Sequence, residues 1–213
     1  MSPRRATDEV LGVALTPGMM VAAAESVPTV WERGFELNGG ANGARDALGA
    51  ALGDAAKASG LTAPVLAVAL LPPLAETRTI ALPPLREADR NLFLQRNAPR
   101  YFVGARGPQV IGTAPAGAAA RGAPTTNVVA TSAPRQLVEA VHGASALAGC
   151  HVRAIVPAEA AWAAAAVTIW PAFARGPASL VIAHDDRADV LTLQDGVLSG
   201  VRRFRAAGDA AAI

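Results

Sequence analysis

The chain has 213 residues, 52% of them hydrophobic and 17% charged, with a formal net charge of +2 and 4% aromatic residues. That is enough apolar material for one large core or two small ones, and it is unlike a disordered chain. The small charge and the scarcity of aromatic rings argue against sequence-independent nucleic-acid binding, which needs a cationic stripe and stacking platforms. The single cysteine, Cys150, excludes an internal disulfide. With no signal peptide recognisable in "MSPRRATDE", it points to a reducing cytoplasm.

The N-terminal "VLGVALTP" and "MMVAAAES" read as a hairpin turning at Pro17-Gly18. "TVWERGFEL", residues 29 to 37, reads as a third strand, and "NGGANGA" as a glycine-rich loop or linker. Ala47, Leu48, Ala51, Leu52 and Ala55 recur at helical spacing between Arg45 and Ser59, and Gly60 ends the run. "PVLAVALL", residues 64 to 71, is almost wholly apolar, as expected of a strand buried on both faces in a parallel sheet.

The texture then changes. "AETRTIALPPL" reads as a half-polar strand, and "READRNLFLQRNAPRYF" as a charged helix ending near Pro99. "PQVIGTAP" and "TTNVVATS" read as two short strands around a mobile Ala/Gly loop, "AGAAARGAP". A helix starts at Ser132 and Pro134 and ends near Gly149, followed by the strand "HVRAIVP" and the Ala-rich helix "AEAAWAAAAVTIW". Pro157, Glu159 and Pro171 limit the apolar stretch 154 to 174 to about 13 clean helical residues, short of the roughly 20 that cross a membrane. "ASLVIAHDD", "ADVLTLQDG" and "VLSGVRRFR" close the chain as a second strand triple, turned by "HDDR" and by Asp195-Gly196. The two triples echo each other, which suggests a duplicated fold.

These stretches, in this order, resemble the actin-like (ribonuclease H-like) α/β fold, and more narrowly the PilM group of type IV pilus assembly proteins and the related cytoplasmic L-protein domain of type II secretion. The resemblance implies a two-lobed fold with an inserted small α+β subdomain and an apparently truncated second lobe. Residues 8–75 with 133–175 form the first ribonuclease H-like subdomain, 76–132 the insertion, and 176–213 part of the second. It also implies a non-catalytic scaffold, cytoplasmic and peripheral to the inner membrane. Such a scaffold binds the cytoplasmic tail of a bitopic pilus or secretion platform protein and links it to the motor ATPase. A homodimer is compatible with this reading. The alternative is an ATP-binding actin-like or sugar-kinase-like enzyme fragment.

In the actin-like fold a first hairpin of the form Gly-x-Asp-x-Gly-Ser/Thr grips phosphate and helps hold the metal. Gly12 matches the first glycine. Ala14 stands at the acid and Thr16 at the second glycine, followed by Pro17, which has no N–H; Val21 stands where pilus homologues often carry a lysine. The second hairpin is degenerate in the same way, with Ile182 at the acid and His184 at the glycine. Asp185 and Asp186 are close enough to compensate or to form a plain polar turn. No nucleotide or metal cofactor is therefore expected.

Two groups of residues are candidates for partner binding. Arg202, Arg203 and Arg205 cluster on the last strand, where they suit an acidic peptide or anionic lipid head groups or act as charges that protect a strand edge. Arg90, Arg96, Arg100 and Tyr101 lie on the charged helix, and arginine and tyrosine are enriched at interaction hot spots. Cys150 and His151 are neighbours on a strand and face opposite ways, so they do not form a metal pair.

Overall fold

The structure, a computed structural model, describes residues 9–24, 27–34, 40–116, 124–184 and 187–205. The first elements are β1 (Val10–Leu15), β2 (Met19–Ala24), β3 (Val27–Gly34), α1 (Gly40–Ala58) and β4 (Val65–Leu70). They are followed by β5 (Glu76–Leu82), α2 (Glu87–Arg96), α3 (Ala98–Tyr101), β6 (Gln109–Pro115), β7 (Thr126–Pro134), α4 (Arg135–Leu147) and β8 (His151–Pro157). The last are α5 (Ala158–Ile169), a 3-10 turn at Pro171–Ala174, β9 (Pro177–Ala183), β10 (Arg187–Gln194) and β11 (Val197–Arg205). The chain packs as two compact units, Met1–Ala75 with Ala133–Ala158, and Glu76–Ser132 with Glu159–Ile213.

The first unit is built on a sheet of order β3-β2-β1-β4-β8. β1 and β2 pair antiparallel from Leu11↔Ala24 to Leu15↔Met20, and β4 adds parallel to β1, with Val65 opposite Val10. Alternation places Leu11, Val13 and Leu15 of β1, Met20 and Ala22 of β2, and Leu66, Val68 and Leu70 of β4 in one core. The other face of β4 is half-buried rather than closed. α1 covers the buried face with Leu48, Ala51, Leu52 and Ala55 at helical spacing. α4 contributes Val141 and Ala144 to the same core. A Cβ on Gly49 of α1 would lie 3.3 Å from that of Leu147, so the glycine lets the two helices approach closely.

The second unit holds two three-stranded sheets, β5-β7-β6 and β11-β10-β9. β5 and β7 pair antiparallel, and Ile80, Leu82 and Val128 from this sheet meet Leu94 of α2 and the buried Phe102. On the other sheet, Leu191 and Leu193 of β10 and Leu198 of β11 pack against Ala163, Trp162 and Val167 of α5. The backbone N–H of Val201 donates to Thr79 Oγ1 at 3.0 Å, joining β11 to β5. Asp195 and Gly196 both take positive φ, 51° and 78°, the hairpin geometry that Asp-Gly favours.

Several boundaries differ from the sequence reading. α1 starts at Gly40, so residues 40–44 of the expected loop are helical. Glycine is a poor helix former, but burial of Ala44 at the helix start outweighs local propensity. β3 begins at Val27, two residues early, and residues 35–37 lie outside the described residues. Helix α4 starts at Arg135 and not at Ser132, because Ser132 remains in β7 and donates to Gln109 Oε1 at 3.0 Å. The charged helix stops at Asn97 and resumes as one short turn with Pro99 at its start, where a missing N–H costs nothing. Most of the expected mobile loop, residues 117–123, lies outside the described residues.

Candidate functional site

The first hairpin has the frame of a phosphate grip without its chemistry. Gly12 pairs with Ala23, and a Cβ on it would sit 3.5 Å from the Ala23 carbonyl oxygen, an ordinary contact. Ala14 lies opposite Val21 on one side and Ala69 on the other. Thr16 closes the turn on itself. Its backbone N–H donates to the Met19 carbonyl at 2.9 Å, and its Oγ1 accepts the Met19 N–H at 2.9 Å while donating back to the same carbonyl at 3.2 Å. The Thr16 hydroxyl, at the glycine position, is thus committed to its own turn, and Pro17, at the Ser/Thr position, offers neither a hydroxyl nor a backbone donor.

In the second hairpin, Ile182 sits directly opposite Asp189, and His184 Nε2 lies 3.1 Å from Asp189 Oδ2. The His184 ring also tilts against Trp162 at a centroid distance of 5.8 Å. Asp185 and Asp186 lie outside the described residues.

The three arginines of β11 do not share one environment. Arg203 lies opposite Asp189, whereas Arg202 lies opposite Val190 and so projects from the other face of the sheet. Arg205 is exposed and lies opposite Arg187. On the helical segment, Arg90 donates from Nε to Thr113 Oγ1 at 3.1 Å, and that hydroxyl donates to Asn91 Oδ1 at 2.7 Å. Arg90 therefore fastens α2 to β6. Arg96 and Arg100 are exposed, and the half-buried Tyr101 tilts against Phe93 at 6.2 Å.

The most concentrated polar chemistry was not singled out from sequence. Glu159, in the first turn of α5, and Asp189, in mid-β10, both have 0% exposure. Arg203 bridges them, with Nε donating to Asp189 Oδ1 at 2.6 Å and Nη2 donating to Glu159 Oε1 at 3.0 Å. The Thr77 hydroxyl donates to Glu159 Oε2 at 3.0 Å and lies 3.1 Å from Thr131 Oγ1. Arg187 Nε approaches Asp189 Oδ2 at 3.9 Å without a hydrogen bond. Burial, with the neighbouring Asp189 charge as a smaller contribution, pushes the Glu159 carboxyl above its ordinary range despite Thr77 and Arg203. The two carboxylates and two guanidiniums balance. The group acts as an ionic brace joining α5, β10 and β11, with Thr77 tying in β5. No group of three or more His, Cys, Asp or Glu side chains converges as a metal site among the described residues.

No protein-family model and no curated protein matches the chain. Solved structures do. A PilM-PilN type IV pilus biogenesis complex aligns with a TM-score of 0.67 at 15% identity, over 94% of this chain and 62% of that one. A Bacteroides thetaiotaomicron protein described as having an actin-like ATPase fold and unknown function aligns with a TM-score of 0.51 at 10% identity, over 94% and 71%. The fold is actin-like. The cytoplasmic domain of Vibrio cholerae EpsL, an inner-membrane component of type II secretion, aligns at 12% identity with a TM-score of 0.49, over 93% of this chain and 71% of that one. The chain spans less than two thirds of the PilM-PilN chain it matches.

An actin-like fold implies ATP and Mg2+ at the first hairpin, and the residues here do not fit that group. The acid is replaced by Ala14, the second glycine by Thr16, whose hydroxyl is bonded within the turn, and the hydroxyl residue by Pro17, which also lacks an N–H. Among the described helices, none is long and apolar enough to cross a membrane.

Proposed function

We propose that this protein is a nucleotide-independent scaffold of a type IV pilus or type II secretion inner-membrane platform. It binds the cytoplasmic tail of a bitopic membrane protein and links that platform to the motor ATPase, as a cytoplasmic protein held at the inner membrane through its partners. The observation that carries this reading is the first hairpin: the strand–turn–strand frame is intact, and the groups that would hold phosphate and metal are missing or used up at Ala14, Thr16 and Pro17. The likeness to a PilM-PilN complex over 94% of the chain supports the choice of system. Arg96, Arg100, Arg202 and Arg205 are exposed and form no salt bridge among the described residues, so they are available to an acidic peptide.

The nucleotide side of this proposal is tested by thermal melting with and without Mg-ATP. A ligand bound only by the folded chain raises the midpoint by mass action. The expected midpoint is unchanged at millimolar Mg-ATP; a clear, saturable rise overturns the nucleotide-independent reading.

A further inference from the structure

We propose that the surface formed by the end of α2, by α3 and by the loop 102–108 docks on the headgroup layer of an anionic phospholipid bilayer. Arg96, Arg100 and Arg106 meet the phosphates, and Val103 enters the interface between them. The contact goes beyond the scaffold reading, in which partners hold the chain at the inner membrane, and it leaves Arg202 and Arg205 to an acidic peptide.

The surface is the outer side of a helical segment whose inner side is fully used. The Asn97 N–H donates to the Phe93 carbonyl at 3.1 Å, the Arg100 N–H to the Asn97 carbonyl at 2.9 Å and the Phe102 N–H to the Ala98 carbonyl at 2.8 Å. The helical repeat therefore runs on past the break at Asn97. Leu94, Ala98 and Phe102, four residues apart, are buried with Ile80, Leu82 and Val128. At 3.6 residues per turn, Leu92, Gln95, Arg96, Pro99 and Arg100 fall on the opposite side, and all five are exposed. Phe102 is buried and extended, which turns Val103 outward. Val103 is 82% exposed.

The charge on this surface has one sign. Residues 91–108 hold three arginines and no acid. Glu87 and Asp89 sit in the first turn of α2, at its far end. Glu76, whose carboxylate accepts the Gly104 N–H, is paired with Arg78. Arg90 is spent on Thr113. Arg96, Arg100 and Arg106 are exposed and form no salt bridge among the described residues.

A bilayer fits this arrangement better than a peptide does. The apolar side chain stands in the middle, and arginines precede and follow it along the chain. An interfacial anchor has this order: the apolar group dips below the headgroups while the long guanidinium side chains stay at the phosphates. Arginine also suits phosphate, which it grips through two N–H groups at once. A peptide would have to space its carboxylates to match three arginines, whereas headgroups present phosphates at any spacing. Three arginines and one valine make a weak contact that salt loosens.

The test is co-sedimentation of the full chain with sucrose-loaded vesicles of phosphatidylcholine alone, or of phosphatidylcholine and phosphatidylglycerol in equal parts. The wild type is expected to pellet with the mixed vesicles only and to be released by salt. Arg100→Glu and Arg106→Glu are each expected to weaken that binding by at least about fivefold. Arg202→Glu, the same charge change on β11, is expected to keep most of it. The tryptophan of Val103→Trp is expected to shift its emission to the blue on the mixed vesicles. All four positions are exposed, so circular dichroism and melting midpoints are expected to match the wild type. If one arginine variant fails to fold, the other decides. Absence of binding to the mixed vesicles overturns the proposal, as does an equal loss in Arg202→Glu, which would reduce the effect to net charge. Binding of soluble poly-glutamate through Arg100 and Arg106, with none to the mixed vesicles, assigns the surface to an acidic peptide and also overturns it.

Discussion

Arg203 donates from Nη2 to Glu159 Oε1 at 3.0 Å, across 44 residues of sequence, and so ties the last strand to the first turn of α5. The same guanidinium holds Asp189 through Nε at 2.6 Å. Removing it leaves Glu159 buried without a guanidinium and Asp189 with only the more distant Arg187, at 3.9 Å, the costly way to break a buried ion pair. Arg203→Met is expected to destabilise the fold by about 3 kcal/mol, the low end of the range for such pairs because Arg203 keeps 34% side-chain exposure. Arg202→Ala, on the exposed face, is expected to change stability by less than about 0.5 kcal/mol. Urea denaturation of the two variants measures the difference.

Glu159 gives the brace a pH dependence. Its folded-state pKa is raised by burial, so the folded chain holds this proton more tightly than the unfolded chain does. The stabilising effect is fully present below the ordinary carboxylate value and is lost as pH rises through the raised one. Glu159→Gln keeps the shape without the titration. Its melting midpoint is expected to gain on the wild type as pH rises from 4 toward neutrality; a gap that stays constant contradicts a raised Glu159.

Glu76 behaves in the opposite sense. Burial works against its charge, but the Gly104 N–H at 3.0 Å and Arg78 at 2.6 Å outweigh it and hold the carboxyl below its usual range. Its contribution is therefore present above the ordinary carboxylate value and lost as pH falls through the lowered one. Glu76→Gln is expected to cost about 1 kcal/mol at neutral pH, with the gap closing in acid. Chemical denaturation at two pH values checks both the size and the sign.

The turn of the first hairpin is held by one side chain. Thr16→Ala removes a hydroxyl that accepts the Met19 N–H and donates to the Met19 carbonyl. The expected loss is about 1 kcal/mol, with no effect of Mg-ATP on either protein. Thr16→Ser, which retains the hydroxyl, is expected to recover most of the stability.

The local structure was largely legible in the residues. The alternation of Leu11, Val13 and Leu15 around Pro17-Gly18 specified both the hairpin and its buried face. Asp195-Gly196 specified the last turn. The start of α1 was hidden because Gly40 and Gly43 look like loop residues, and only the packing of Ala44 reveals otherwise. The ionic brace was missed for a different reason. Glu159 reads as an interruption of an apolar helix, and its counter-charge lies on another strand far along the chain. One signal was available: Asp189, Leu191 and Leu193 share a period of two, which puts Asp189 on the inward face and requires a partner there.

The most direct test of the scaffold reading is a calorimetric titration of this chain with a synthetic peptide of the N-terminal cytoplasmic tail of a bitopic pilus or secretion platform protein from the same organism, with and without Mg-ATP. A nucleotide-independent scaffold binds the peptide saturably, with the same affinity in both conditions. No binding at high micromolar peptide, or binding that appears only with Mg-ATP, contradicts it.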